Sequence, residues 1–271
     1  MPKDFAAQFR IEPGRRAHLG RRDPDNINSF PDREAAEAQS LKDVATIDQL
    51  QDRLYAEQRR ALLVILQGTD TGGKDGTIRH VFKDTSPLGV VVTAFRRPSE
   101  QELAHDFLWR AHIATPRRGY IGIFNRSHYE DVLIGRVRKL APKEEIEKRY
   151  DQINAFEKLL VENGTTILKF MLHISKKEQG QRLQDRLDQP KSRWKFNPDD
   201  LEDRKLWPKY MAAYELMLDK CSTAHAPWHV IPANHKWARN AAIAAIVRET
   251  LETMNPQYPK PKWDPKDFKI T

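Results

Sequence analysis

The stretch Ala61-Leu62-Leu63-Val64-Ile65-Leu66-Gln67-Gly68-Thr69-Asp70-Thr71-Gly72-Gly73-Lys74-Asp75-Gly76 decides the fold. Its first six residues are an uninterrupted apolar run, the pattern of a short strand covered on both faces in a parallel sheet. Gly68 to Lys74 then fits G-x-x-x-x-G-K, a phosphate-binding loop. Glycines let backbone N–H groups curl around phosphate oxygens, and the lysine adds a mobile positive charge. The helix expected next, from Gly76 to Lys83, turns its N-terminus toward the same anion. Gly68, Thr71, Gly72, Gly73, Lys74, Asp75, Gly76 and Thr77 are therefore candidate phosphate-binding residues. Two positions depart from the common loop. Asp75 stands where a Ser or Thr usually holds magnesium, and Thr77 is a substitute hydroxyl at a non-standard spacing. Asp70 places a carboxylate among anion-binding groups. That suits a divalent cation or the orientation of an attacking group; a turn-capping Asp is the plainer alternative.

Four further apolar runs read as strands, at 90–95, 120–124, 166–172 and 228–231. Helical segments fill the gaps. Leu41, Val44, Ile47, Leu50 and Leu54 form the stripe of an amphipathic helix over 33–59, and Ile146, Tyr150, Ile153, Phe156 and Leu160 do the same over 143–162. Ser175-Lys176-Lys177-Glu178 has the form of a capping box. The βαβ alternation predicts a three-layer α/β/α domain with a parallel sheet. Residues 1–32, polar and with the pairs Arg15-Arg16 and Arg21-Arg22, are expected to form an extended arm. The domain is expected over 33–258, with an irregular tail at 259–271.

The 271 residues are 39% hydrophobic and 31% charged, which excludes a membrane-embedded protein and does not suggest general disorder. No apolar run approaches the roughly 20 residues of a bilayer span. Met1 to Phe5 lack the apolar core of a signal peptide, so a cytoplasmic location is expected. Cys221 is expected as a buried helical residue. The net charge of +8 favours anionic partners without choosing among them.

Phe124-Asn125-Arg126-Ser127-His128-Tyr129-Glu130-Asp131 begins where the third strand ends, the place of ligand sites in open α/β sheets. Asn125 occupies the position where an Asp usually ends such a strand. Arg126 is a candidate phosphate contact, and Glu130 and Asp131 are candidates for nucleotide or metal. Between Lys176 and Lys195 there are seven Lys or Arg against three Asp or Glu, so Arg182, Arg186, Arg193 and Lys195 read as a basic lid. Arg117 and Arg118 before the third strand, with Arg136, Arg138 and Lys139 after it, extend the candidate basic track.

The loop, the 124–131 motif, Arg193-Trp194-Lys195-Phe196 and Leu201-Glu202-Asp203-Arg204-Lys205-Leu206-Trp207 together resemble the polyphosphate kinase 2 family, from about Phe30 to about Tyr258. Asn125 and the His128 to Asp131 run are most similar to its class III. The resemblance implies a P-loop kinase core with a helical lid at about 175–207, magnesium or manganese as cofactor, and a homodimer or homotetramer. It implies reversible transfer of the terminal phosphate of inorganic polyphosphate to AMP and ADP, giving ADP and ATP. It also implies catalytic roles for Asp70, which would bind the metal, and for Lys74, Asn125, Arg126 and Arg193, with Glu130 at the nucleotide. An Asn at 125 departs from the Asp of other branches and weighs against a base there. Two rival classes are an ATP-dependent kinase of a small metabolite and a nucleic-acid binder. The second lacks any helix-turn-helix, zinc or RNA-binding signature, so neither nucleic acid nor membrane is expected as a partner.

Overall fold

The computed structural model describes residues 5–27 and 30–270. The parts of the expected arm and tail at Met1–Asp4, Asn28, Ser29 and Thr271 lie outside them. Five strands form: β1 (Ala61–Gln67), β2 (Val90–Ala94), β3 (Ile121–Asn125), β4 (Thr165–His173) and β5 (Trp228–Pro232). They make one sheet in the order β2-β3-β1-β4-β5, every neighbouring pair parallel. The loop-bearing strand β1 is central, with Val64 level with Ile123 on one side and Leu168 on the other.

Ten helices accompany the sheet among the described residues: α1 (Arg33–Glu57), α2 (Lys74–Val81), α3 (Glu100–Leu103), α4 (Trp109–Ile113), α5 (Ile134–Val137), α6 (Lys143–Glu162), α7 (Lys176–Asp188), α8 (Asp199–Lys205), α9 (Trp207–Cys221) and α10 (Lys236–Met254). Alternate side chains of a strand point to opposite faces, and β1 shows the consequence. Leu62, Val64 and Leu66 join the core under α1 and α10. Leu63 and Ile65 join the core under α6 and α9. This is the expected three-layer α/β/α arrangement. Asp32 caps α1, its carboxylate accepting from Ala35 N at 2.8 Å. Ile47, Leu50 and Leu54 face the sheet, but Leu41 is 57% exposed. At 100° per residue Leu41 lies about 120° around the helix from Ile47, off the buried stripe.

The described part of the N-terminal segment docks on the sheet. Phe5, Phe9, Ile11, Ala17 and Leu19 are buried. Its backbone runs antiparallel to β5, with Ile11 N donating to Trp228 O at 2.8 Å and Val230 N to Phe9 O at 2.9 Å. Five apolar residues spaced through a polar stretch suffice to close that edge of the sheet. At the opposite edge β2 is open, with Val91 and Val92 46% and 50% exposed.

Between β4 and β5 the chain leaves the sheet as α7, a 3₁₀ stretch (Pro190–Lys195) and α8, and returns along α9. Ser175 caps α7 by accepting from Glu178 N at 3.1 Å. No helix among the described residues is long and apolar enough to cross a membrane.

Candidate active site

The carboxyl ends of the parallel strands bring the motifs together. Gly68 needs to be glycine: its φ is +156°, and a Cβ there would stand 2.9 Å from Leu172 O of β4. Gly73 ends the loop at φ +102°, and α2 begins at once at Lys74, two residues before the expected Gly76. Lys74 is buried and its ammonium donates to Gly68 O at 2.7 Å and Thr69 O at 3.2 Å. Burial first, then the charge of Arg126, lower its pKa to about 8. The hydroxyls of Thr69, Thr71 and Thr77 are buried around the loop without hydrogen-bond partners.

Arg126 follows β3 in the left-handed region (φ 61°), which turns its side chain back toward the loop. Its guanidinium donates to Asp70 Oδ1 at 2.5 Å and lies 3.7 Å from Glu130 Oε2. Burial opposes this charge, but Glu130 and Asp70 outweigh it and raise the arginine's pKa. Gln67 Nε2 donates to Glu130 Oε1 at 3.0 Å. Asn125 Nδ2 donates to Asp75 Oδ1 at 2.7 Å, linking the third strand to the first turn of α2. An amide held as a donor cannot take up a proton, so position 125 is no general base.

Behind this surface lies a buried network that the sequence did not announce. The Lys169 ammonium donates to Glu157 Oε2 at 2.6 Å, Tyr129 Oη at 2.8 Å and Cys221 O at 2.7 Å. Tyr129 Oη donates to Glu157 Oε1 at 2.7 Å. Burial works against the Glu157 charge, yet Lys169 and His128 lower its pKa. His128 and Tyr129 are thus framework, fixing the turn that presents Arg126 and Glu130. Cys221 is buried as expected, and burial pushes its thiol up to about 12.

Two cavities open on either side of Asp70 and Arg126. The first, about 600 Å³, is lined by the loop and, among others, by Arg182, Arg186, Lys195, Lys236 and Arg239. Eight lysines and arginines line it against four aspartates. The second, about 560 Å³, is lined among others by Phe95, Arg97, Arg110, Glu130, Asp131 and Leu140. There four arginines face six carboxylates. Asp70, Phe95, Arg96, Arg126, Asn197 and Asp200 belong to both. Asp131 is held by Arg149 at 3.3 Å and Arg110 at 3.6 Å, and burial raises its pKa.

Asp200, on α8, was not singled out from the sequence. It pairs with Arg186 at 3.2 Å. Burial first, then the Asp70 charge, push its carboxyl up to about 6. Two carboxylates from opposite walls thus share one space. Among the described residues no group of three or more His, Cys, Asp or Glu is placed to hold a metal alone. One or two carboxylates beside a phosphate path is what magnesium asks of a protein, since substrate oxygens and water complete its shell. The donors present fit such an ion.

The remaining candidates divide between the first cavity and other parts of the fold. Arg182 is spent on structure: it donates to Glu178 Oε1, Thr71 O, Ala233 O and Asn234 O at 2.7–2.9 Å, pinning α7 to the loop. Arg193 is exposed, with Nε donating to Leu187 O at 2.8 Å, and does not line either cavity. Arg117 and Arg118 precede β3 and sit at the amino end of the sheet, opposite the loop. Arg117 stacks on Tyr120 instead. The expected phosphate role of this pair is therefore set aside: in a parallel sheet a residue before a strand is at the wrong end. Arg138 pairs with Asp203 of α8, and Arg136 with Glu147 of α6, both at 2.6 Å. Besides Asp200, Lys236 and Arg239 of α10 were missed, although a lone arginine among the alanines of 238–245 is an available signal.

The polyphosphate kinase 2 (PPK2) family model matches residues 31–259. The chain belongs to the polyphosphate kinase 2 family. A relative from Meiothermus ruber, named AMP/ADP-polyphosphate phosphotransferase, is 52% identical over 256 residues, 94% of this chain and 96% of that protein. One from Rhodopseudomonas palustris, named ADP-polyphosphate phosphotransferase, is 41% identical over 93% of this chain and 92% of that protein. The crystal structure of polyphosphate kinase 2 from Arthrobacter aurescens TC1 superposes with a TM-score of 0.94 at 41% identity, covering 98% of this chain and 95% of that one. The PPK2 match spans the interval marked out by the motifs, and the fold is that of a P-loop kinase.

Proposed function

We propose that this chain moves the terminal phosphoryl group of inorganic polyphosphate to AMP and to ADP, reversibly, giving ADP and ATP, as class III of its family does. The observation that carries the reading is the pair of cavities of opposite charge meeting at Asp70 and Arg126. The name of the Meiothermus ruber relative supports it. A polyanionic donor is favoured in the basic cavity, and a nucleoside, with its hydrogen-bonding base and ribose, beside Phe95, Glu130 and Leu140 in the acidic one.

A terminal phosphate oxygen of the acceptor attacks the end phosphorus of the donor; a new P–O bond forms as the old one breaks, and the shortened polyphosphate leaves with the electron pair. The attacking phosphate has a second pKa near about 6 and is mostly ionised at neutral pH, so no strong base is required. Lys74 and the loop amides hold phosphate oxygens, and Arg126 neutralises charge on the transferring group. Asp70 orients Arg126 and, with Asp200, would hold magnesium or manganese, which supplies further charge neutralisation when bound. Asn125 fixes Asp75 at the loop. Lid motion over 175–207 would bring Arg193 to the phosphates.

The reaction is placed in the cytoplasm, with no nucleic acid or membrane as partner. Assembly as a homodimer or homotetramer is proposed too. The open β2 edge, with Leu88, Val91 and Val92 exposed, supports a covering copy; a monomer in analytical ultracentrifugation would contradict this. The functional test is nucleotide formation from AMP, and separately from ADP, with long-chain polyphosphate and magnesium but no ATP. ADP and ATP both arising from AMP is the expected result. Product from one acceptor alone overturns the class assignment. No product, with ATP phosphorylating another acceptor, overturns the function.

A further inference from the structure

Arg239 sits beneath the phosphate-binding loop and is 2% exposed. Its Nη1 donates to Gly72 O at 3.3 Å. Nε and Nη2 turn to the neighbouring Asn240 Oδ1 at 3.1 and 2.8 Å. No carboxylate pairs with it among the described residues, and the charge that acts on it is that of another cation, Arg182. Burial first, then Arg182, lower its pKa to about 9. Buried charges are ordinarily paired, because leaving water unpaired is costly. Its helix neighbours Ala238, Ala241 and Ala242 are fully buried alanines, so Arg239 is the one long cationic side chain buried in this stretch of the helix. The loop is shaped around the side chain. A Cβ on Gly73 would overlap the Arg239 guanidinium, and one on Gly76 would stand 3.6 Å from Nη2. Arg239 is also among the residues that line the basic cavity. Three residues earlier, on the same helix face, Lys236 lines that cavity from an exposed position and pairs with no carboxylate among the described residues.

We propose that Arg239 is a substrate-binding residue, a fixed cationic seat for a phosphate of the donor chain beside the loop, with Lys236 guiding that chain outward at the rim. This rests on the donor lying in the basic cavity. A planar guanidinium held rigid by packing suits phosphate oxygens and needs no reordering when they arrive. An unpaired charge kept at the expense of stability is then explained by the ligand that completes it.

The test combines stability and kinetics. Arg239→Met is expected to unfold at the same or a higher temperature than the wild type without ligand. The rise in melting temperature on adding long-chain polyphosphate should fall to less than half. KM for polyphosphate should rise about tenfold or more, with KM for ADP within about twofold. Lys236→Ala, exposed and safe for folding, should raise KM for polyphosphate about threefold and leave KM for ADP unchanged. A lower melting temperature with the polyphosphate shift intact would make Arg239 structural and overturn the proposal. A rise in KM for ADP alone would overturn its assignment to the donor. If the wild type forms no nucleotide from polyphosphate, the proposed function fails by itself. The thermal shift with inorganic triphosphate, compared in wild type and Arg239→Met, would still decide whether Arg239 binds phosphate.

Discussion

The basic and acidic cavities share one wall and differ in almost everything else. Loop, lid and α10 line the basic side, where Lys74, Lys195, Lys236 and Arg239 have no carboxylate within ion-pairing distance among the described residues. The acidic side is lined from the segment after β2, the turn after β3, α5 and α8; of its four arginines, Arg126 and Arg110 are tied to Asp70, Glu130 or Asp131, and Arg96 and Arg97 pair with no carboxylate among the described residues. Unpaired cations await an anion, whereas paired ones shape a pocket. The charge that matters for recognition is therefore what remains after internal pairing, not the sum over the lining. The shared wall, Asp70 with Arg126, is where two ligands of different chemistry would meet.

The largest effect should come from that wall. Asp70→Asn is expected to lower kcat by about 10²-fold or more with both acceptors, in line with loss of one charge-organising contact. Raising magnesium or manganese should not restore it. Near-full activity across metal concentrations would remove Asp70 from metal binding and orientation.

Substitutions confined to one side should then separate the ligands. Lys195→Glu should raise KM for long polyphosphate about tenfold and flatten its dependence on salt, with KM for ADP nearly unchanged. Glu130→Gln should do the reverse, moving KM for AMP or ADP about three- to tenfold. If each variant moved both KM values equally, the two-sided arrangement would be wrong.

A smaller, graded effect is expected with pH. The Lys74 pKa, lowered to about 8 by burial, means that the ammonium loses its proton as pH rises through that value. An anion on the loop favours the protonated form, so donor binding takes up a proton there and KM for polyphosphate should climb between pH 8 and about 9.5. Folding has its own dependence: the unfolded chain, with an ordinary lysine, binds more protons than the folded one between pH 8 and 10.5, so Lys74 contributes stability that grows with pH across that window. Initial rates and melting temperatures over the same pH series check both signs. The smallest effect should come from Arg117→Ala and Arg118→Ala, which stand at the far end of the sheet and should change either KM by less than about twofold.

Sequence showed most clearly what local chemistry determines. The run Ala61–Leu66 and the glycines after it define a buried strand and its loop without outside help, and the strand ends moved by only a residue or two. Arg126 and Glu130 were legible because a motif at the carboxyl end of a parallel strand must open on the site. Arg117 and Arg118 misled by composition alone, since their position before β3 already put them at the other end. Arg182 looked like a phosphate ligand, but its donors are taken up by backbone carbonyls that only the folded chain brings near. Lys169, Glu157, Asp200 and Arg239 depend on partners far away in the chain, so no local pattern marks them.

The most direct measurement is a crystal structure with ADP, manganese and a polyphosphate whose bridging oxygens are replaced by methylene groups. The account predicts the chain running from the loop past Arg239 to Lys236, adenosine between Phe95 and Leu140, and anomalous signal from manganese beside Asp70. Polyphosphate in the acidic cavity, or both ligands competing for the loop side, would contradict it.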